Sequence, residues 1–236
     1  MIDKRVKSLE EAVSGIDDGA VVLIGGFGQV GNPTDLIHAL INQGAKDLTV
    51  VNNNAGNARI GLAALLETGR VRKIICTYPR STDSEVITGL YRDRKIELEI
   101  VPQGTLSERL RSAGAGIGGF YTRTTIGTPL ADGKEVKRID GKDYVLEFPL
   151  SADIALVKAE IGDRWGNLTY YKAARNFGPL MCMAARTTIV QVRKFVDLGS
   201  IDPEHVVTPG IFVDRIVEVA KPIDERVEIE RQKKMA

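Results

Sequence analysis

The chain reads as an α/β protein, a mainly parallel sheet flanked by helices, with a β-hairpin or antiparallel addition in its second half. Three observations predict this. Short runs rich in β-branched residues alternate with segments of helical apolar spacing over residues 20–110. The intervening helices are long enough to bring each strand back to the same edge, which makes the strands parallel and covers both faces of the sheet. Farther on, residues 135–139 and 144–148 flank Asp140-Gly141-Lys142-Asp143, the signature of a hairpin.

The elements follow in order. Ala20-Val21-Val22-Leu23-Ile24 is a buried strand that runs into four glycines within seven positions (Gly25, Gly26, Gly28, Gly31), followed by Pro33. Leu36, Ile37, Leu40 and Ile41 then mark a helix, and Gly44 supplies its stop. Leu48-Thr49-Val50-Val51 is a second strand. Leu62, Ala63, Leu65 and Leu66 mark a helix ending near Gly69, and Lys73-Ile74-Ile75-Cys76-Thr77-Tyr78 is a third strand. Val86, Ile87, Leu90 and Tyr91 give another helical face before a strand at 97–101. Thr105-Leu106-Ser107-Glu108 has the form of a capping box opening a helix through Arg111. Residues 113–128, rich in Gly and Thr, read as a long functional loop or flexible linker inside one domain spanning 1–236. Two more core strands are expected at 153–158 and 187–192. The charged tail, 225–236, reads as solvated or docked at an edge.

Composition excludes several classes of function. The 236 residues carry 32 Lys and Arg against 31 Asp and Glu, a net charge of +1. That leaves no broad electrostatic footprint for nucleic acid or an anionic membrane. The segment Met1-Ile2-Asp3-Lys4-Arg5-Val6-Lys7 holds no signal-peptide core, and no apolar stretch is long enough to span a bilayer, so a cytoplasmic protein is expected. Cys76 and Cys182 stand far apart without metal-type spacing and are read as buried, reduced thiols; no metal site is expected.

The glycine-rich run carries the functional question. Its backbone must approach something closely, either packed protein or the phosphate-bearing end of a nucleotide-like ligand. Gly26-Phe27-Gly28-Gln29-Val30-Gly31 satisfies the G-x-G-x-x-G pattern, yet the context argues against a dinucleotide site. Pro33 delays the helix, and the second strand ends in Asn52-Asn53-Asn54 where an acid for the ribose should stand. In an open α/β sheet ligands bind beyond the carboxyl ends of the strands. Four such ends bring unusual sequences to that edge: 25–31, 52–57, 78–83 and 102–105. Neutral amides there suit a developing oxyanion, where one donor contributes roughly 3 kcal/mol. Arg80 is the natural ligand for a carboxylate, because its planar fork binds two oxygens at once. What is missing matters equally. His38 and His205 lie away from these ends, and no Ser or Cys occupies a nucleophile elbow. The chain reads as a binding and oxyanion platform whose nucleophile comes from a partner.

These residues also carry a family resemblance. The run from Asp18-Gly19 through Gly25-Gly26-Phe27 to Gly31-Asn32-Pro33 resembles the glycine-loop subunit of the 3-oxoacid CoA-transferases, the class I family. So do Asn53-Asn54-Ala55-Gly56, Pro102-Gln103-Gly104-Thr105-Leu106, Gly114-Ala115-Gly116-Ile117-Gly118-Gly119-Phe120, Trp165-Gly166-Asn167-Leu168-Thr169-Tyr170 and Lys172-Ala173-Ala174-Arg175-Asn176-Phe177. The resemblance implies ping-pong transfer through a glutamyl-CoA thioester, with no permanently bound cofactor. The glutamate would belong to a second, complementary CoA-transferase subunit, paired with this chain in a heterodimer or heterotetramer. The resemblance also implies that Gly25, Gly26, Phe27, Gly28, Gln29, Val30 and Gly31 form a loop contacting coenzyme A. Asn53, Asn54 and Gln103 are then oxyanion donors or substrate-positioning groups. The segment 76–84 is similar to that of 3-oxoadipate transferases, which makes 3-oxoadipate the expected acceptor, succinyl-CoA the donor and Arg80 the ligand of the second carboxylate. One departure stands out. Family members often have Pro-Thr-Gly-Tyr-Gly-Thr where this chain has Arg123-Thr124-Thr125-Ile126-Gly127-Thr128. Other readings are an acetoacetate- or acetate-type transferase chain, a non-catalytic CoA-binding protein, and a dinucleotide-dependent oxidoreductase.

Overall fold

A computed structural model describes residues 2–235. Its elements run α1 (Leu9–Val13), β1 (Val21–Ile24), α2 (Thr34–Gln43), β2 (Leu48–Asn54), α3 (Gly61–Glu67), β3 (Val71–Tyr78), α4 (Glu85–Arg92), β4 (Glu97–Ile100) and α5 (Gln103–Gly114). The second half adds β5 (Phe120–Thr122), β6 (Val136–Ile139), β7 (Lys142–Glu147), β8 (Ala152–Gly162), β9 (Leu168–Thr169), α6 (Gly178–Ala184), β10 (Ala185–Phe195), β11 (Arg215–Glu218) and α7 (Glu225–Met235). The main sheet has the order β11-β10-β8-β1-β2-β3-β4, all parallel, with the short β9 antiparallel beside β8.

Alternation along each central strand divides the core in two. Val22 and Ile24 of β1 pack with Val50, Ile74 and Leu156 under α1 to α4. Leu23 packs with Val51, Ile75, Ala155 and Val157 under α5 and α6. Every residue of β2 is buried, the mark of a strand covered on both faces.

The hairpin forms as its sequence implies: Ile139 pairs with Lys142, and Asp140 and Gly141 both take positive φ in the tight turn. It gains a third strand, because β5 pairs with β7. The region 113–128 is therefore neither one loop nor a linker. Its start belongs to α5 and its middle to this three-stranded sheet.

Two boundaries differ from expectation. The α5 helix opens at Gln103, with Pro102 in the extended conformation just before it, so Thr105 lies within the first turn and no side-chain cap forms. Proline sets the entry three residues earlier than the Thr-Glu pair would. The second strand continues through all three asparagines. Asn52 donates through Nδ2 to the Ile24 carbonyl (2.6 Å), and its Oδ1 accepts from the Asn54 amide (2.8 Å). Side-chain amides that satisfy neighbouring backbone allow polar residues to stay inside a buried strand.

Candidate active site

The chain passes from β1 outward through β2, β3 and β4, then returns to the other flank of β1 with β8. The crevice of such a sheet lies where the order reverses. The loop after β1 stands at that point, which is why its geometry decides the site.

The loop is braced from three sides. The Gly25 amide donates to the Leu156 carbonyl (2.9 Å), and Phe27 and Val30 exchange two backbone hydrogen bonds of 3.0 Å. The Gly26 amide donates to Asn176 Oδ1 (3.1 Å) and the Gly28 amide to Asn54 Oδ1 (3.0 Å). Asn32 Nδ2 donates to the Gly28 carbonyl (3.0 Å), and Asn176 Nδ2 to that of Val30 (3.1 Å). A Cβ at Gly26, where φ is 128°, would fall on the Asn32 amide oxygen; one at Gly31, where φ is 78°, would lie 2.5 Å from the Ala174 carbonyl. These two glycines meet packed protein. At Gly28 a Cβ would enter open space. The tight approach expected from the sequence is met by packed protein at Gly26 and Gly31, whereas Gly28 faces open space.

Gly28 borders a cavity of about 630 Å³ to which all four strand ends contribute, through Phe27, Gln29 and Val30, through Asn53, Asn54 and Asn57, through Tyr78, Ser81, Thr82 and Asp83, and through Gln103. The structure therefore brings Asn53, Asn54 and Gln103 together with the exposed tip of the loop. Gln103 Nε2 donates to Asn53 Oδ1 (2.7 Å), while Asn54 Oδ1 is occupied by Gly28. Both asparagine carbonyl ends are thus used inside the protein. Their NH2 groups have no hydrogen-bond partner among the described residues, so the side chains offer donors, the polarity an oxyanion requires.

Other expected residues fall elsewhere. Gly25 and Gly26 are buried beneath the loop, and Gly31 borders a second cavity of about 610 Å³ on its other flank. Arg80 is exposed at the exit of β3 and does not line the first cavity. The cation that does is Arg226, from α7. The second cavity carries Lys158, Lys172, Arg193, Lys221 and Arg226 against Glu160, Asp224 and Glu225.

Among the described residues, no side chain of the first cavity is poised as a nucleophile. Its acid, Asp83, is paired with Lys233 at 2.7 Å. Burial pushes the thiols of Cys76 and Cys182 up to about 12, as inert free cysteines. Burial holds His38 below the usual imidazole range, and its Nε2 accepts from the Gly61 amide (3.3 Å). His205 lies exposed, 3.6 Å from Asp202.

Sequence reasoning missed the part of the site built by α7. Docking was one of the two expectations for this charged segment, but without apolar periodicity nothing in it shows where it docks. Asn32 and Asn176 were legible only as members of longer motifs, since their brace on the loop is a contact between distant segments.

Comparison with known proteins shows the family and the fold. The sequence model described as "Coenzyme A transferase" matches residues 6–219. The chain is 60% identical, over 93% of its length and 95% of the relative, to a 3-oxoadipate CoA-transferase subunit of Pseudomonas putida. It is 61% identical, over 93% of its length and 96% of the relative, to the subunit of that name from Acinetobacter baylyi. Among solved structures, an acyl-CoA transferase apoenzyme of Escherichia coli O157:H7 superposes with a TM-score of 0.82 at 26% identity. That match covers 94% of this chain and 48% of the other, so the chain spans about half of that protein. A family match over nine-tenths of the sequence, on a sheet whose reversal point carries the glycine loop, has one reading: the chain belongs to the coenzyme A transferase family.

Proposed function

We propose that this chain is the glycine-loop subunit of a heteromeric, cytoplasmic CoA-transferase that moves CoA from succinyl-CoA to 3-oxoadipate. The observation that carries the reading is the first cavity. It pairs the glycine-loop tip with unengaged amide donors of Asn53 and Asn54, and it holds no free nucleophile of its own among the described residues. The proposed chemistry supplies that group from the complementary chain. A glutamate carboxylate attacks the succinyl thioester carbonyl, forming a mixed anhydride and releasing CoA thiolate. The thiolate attacks the glutamyl carbonyl, giving the enzyme thioester and free succinate. The 3-oxoadipate carboxylate then reverses both steps. In each tetrahedral intermediate Asn53, Asn54 and Gln103 act as donors to the oxyanion or as the groups that position it. Support for the substrate comes from the two relatives at 60% and 61% identity, both named for 3-oxoadipate. Support for the partner comes from the same names, since each relative is one subunit of its enzyme.

A dicarboxylate acceptor needs a cation for its distal end. Arg80 is proposed in that role, and Arg226, which lines the cavity, is its competitor. Succinyl-CoA:3-oxoadipate transfer measured with this chain alone and with its complementary chain tests the proposal. Activity only in the pair, with 3-oxoadipate preferred over acetoacetate, is the expected result. A preference for acetoacetate discards the substrate, and a folded pair without transfer discards the catalytic reading in favour of a CoA-binding protein.

A further inference from the structure

The family match ends at residue 219, yet the chain continues into a segment that returns to the glycine loop. That segment is fastened at several points. The Ile223 amide donates to Asp35 Oδ2 (3.3 Å), a carboxylate also held by Gln191 Nε2 (2.8 Å). At the far end of α7, Lys233 pairs with Asp83 at 2.7 Å, and the Arg59 amide donates to Gln232 (3.4 Å).

Between these anchors stands Glu225, 6% exposed in a helix otherwise strongly polar. Its Oε1 accepts from Thr34 Oγ1 (2.8 Å) and its Oε2 from Asn32 Nδ2 (2.6 Å). A Cβ at Gly61 would collide with Oε1, so the opposing helix keeps a glycine where the carboxylate enters. Burying a carboxylate is costly unless it is well hydrogen-bonded. A surface helix that only closed an edge would not need one there.

The same Asn32 amide that meets Glu225 also donates to the Gly28 carbonyl (3.0 Å), and the amide of Gly28 donates to Asn54 (3.0 Å). One continuous hydrogen-bonded chain therefore runs Glu225, Asn32, Gly28, Asn54, from the C-terminal segment into the cavity. We infer that Glu225 is a positioning residue of the glycine loop, acting through Asn32 on Gly28 and setting affinity for the CoA thioester rather than the rate of transfer. This inference rests on the reading of that loop as the CoA contact.

The test uses the protein paired with its complementary chain, with succinyl-CoA varied at saturating 3-oxoadipate and CoA binding followed by calorimetry. Glu225→Ala removes a charge-assisted hydrogen bond and should raise KM and Kd about tenfold, with kcat changed less than about twofold. Glu225→Gln keeps an oxygen facing Asn32 and should restore most of the affinity. Asn32→Ala should match Glu225→Ala, and the double variant should be no worse than either single one, because both break the same chain. Unchanged KM in Glu225→Ala, a fall in kcat without a rise in KM, additive effects, or failure of Gln to rescue would each overturn the inference. Gly28→Ala separates the two levels. If it raises KM while Glu225→Ala does not, the positioning role falls and the loop reading stands. If Gly28→Ala also leaves KM and Kd unchanged, the loop reading itself falls.

Discussion

Two glycines of one loop should respond to the same added methyl group in different observables, stability at Gly31 and affinity at Gly28. Both have left-handed backbone, φ 78° and 59°. An alanine in that region costs about 1–2 kcal/mol. At Gly31 the new methyl also lies 2.5 Å from the Ala174 carbonyl and 2.7 Å from Asn176 Nδ2. Forcing an extra methyl into packed structure adds about 1–3 kcal/mol. Gly31→Ala should therefore lose about 2–5 kcal/mol, and at about 2–4 °C per kcal/mol for a domain of this size its Tm should fall by roughly 4–20 °C. At Gly28 no atom lies within 4 Å of the methyl. Only the backbone cost applies there, a fall of roughly 2–8 °C. Its methyl instead enters the cavity and should weaken CoA-thioester binding. Thermal unfolding of each variant, with KM for succinyl-CoA measured on the assembled pair, decides the matter. Equal Tm losses at the two sites, or normal KM in Gly28→Ala, would refute the division of the loop into a packed half and a ligand-facing half.

Other consequences follow from the same geometry. Removing the Gln103 amide, which holds Asn53 at 2.7 Å, should lower kcat about a hundredfold or more in Gln103→Ala if the group serves the oxyanion, with little change in Tm; a change in KM alone would make it a ground-state contact. Arg80→Ala should raise KM for 3-oxoadipate far more than for acetoacetate; if the selective effect appears in Arg226→Ala instead, the carboxylate ligand is Arg226. Burial holds the Glu225 carboxyl above the usual carboxylate range despite its bonds to Thr34 and Asn32. A raised folded-state value contributes stability at acid pH that is lost as pH rises from the ordinary glutamate range through the raised one. Glu225→Gln should flatten that part of the Tm–pH curve, and a curve superimposable on wild type would contradict the assignment. Both cysteines, pushed up to about 12 by burial, should resist thiol reagents until the protein unfolds, as a labelling time course would record.

Much of this protein is legible in its sequence. Local chemistry sufficed wherever an element depends on its own residues: the β-branched run of β1, the helical spacing of Leu36, Ile37, Leu40 and Ile41 with Gly44 as its stop, and the Asp-Gly turn of the hairpin. The same holds for the convergence at one edge, because parallel connections deliver every strand end to the same side. That brought the segments 52–57 and 102–105 to the edge of the glycine loop, and the family resemblance singled out Asn53, Asn54 and Gln103 within them. Where a residue's role depends on a distant neighbour, sequence was silent. It could not tell which glycine faces protein and which faces open space, since that is decided by Asn32, Ala174 and Asn176 packing across the loop. Nor could it bring Arg226 into the cavity or bury Glu225, because α7 docks through Ile229 and polar contacts, too few apolar residues to leave a periodic trace. Secondary structure and the parallel sense of the sheet are written in short-range patterns and chain connectivity, whereas the strand order came only from the fold. The electrostatic partners of the site come from segments up to 193 residues apart, and only the folded chain sets them side by side.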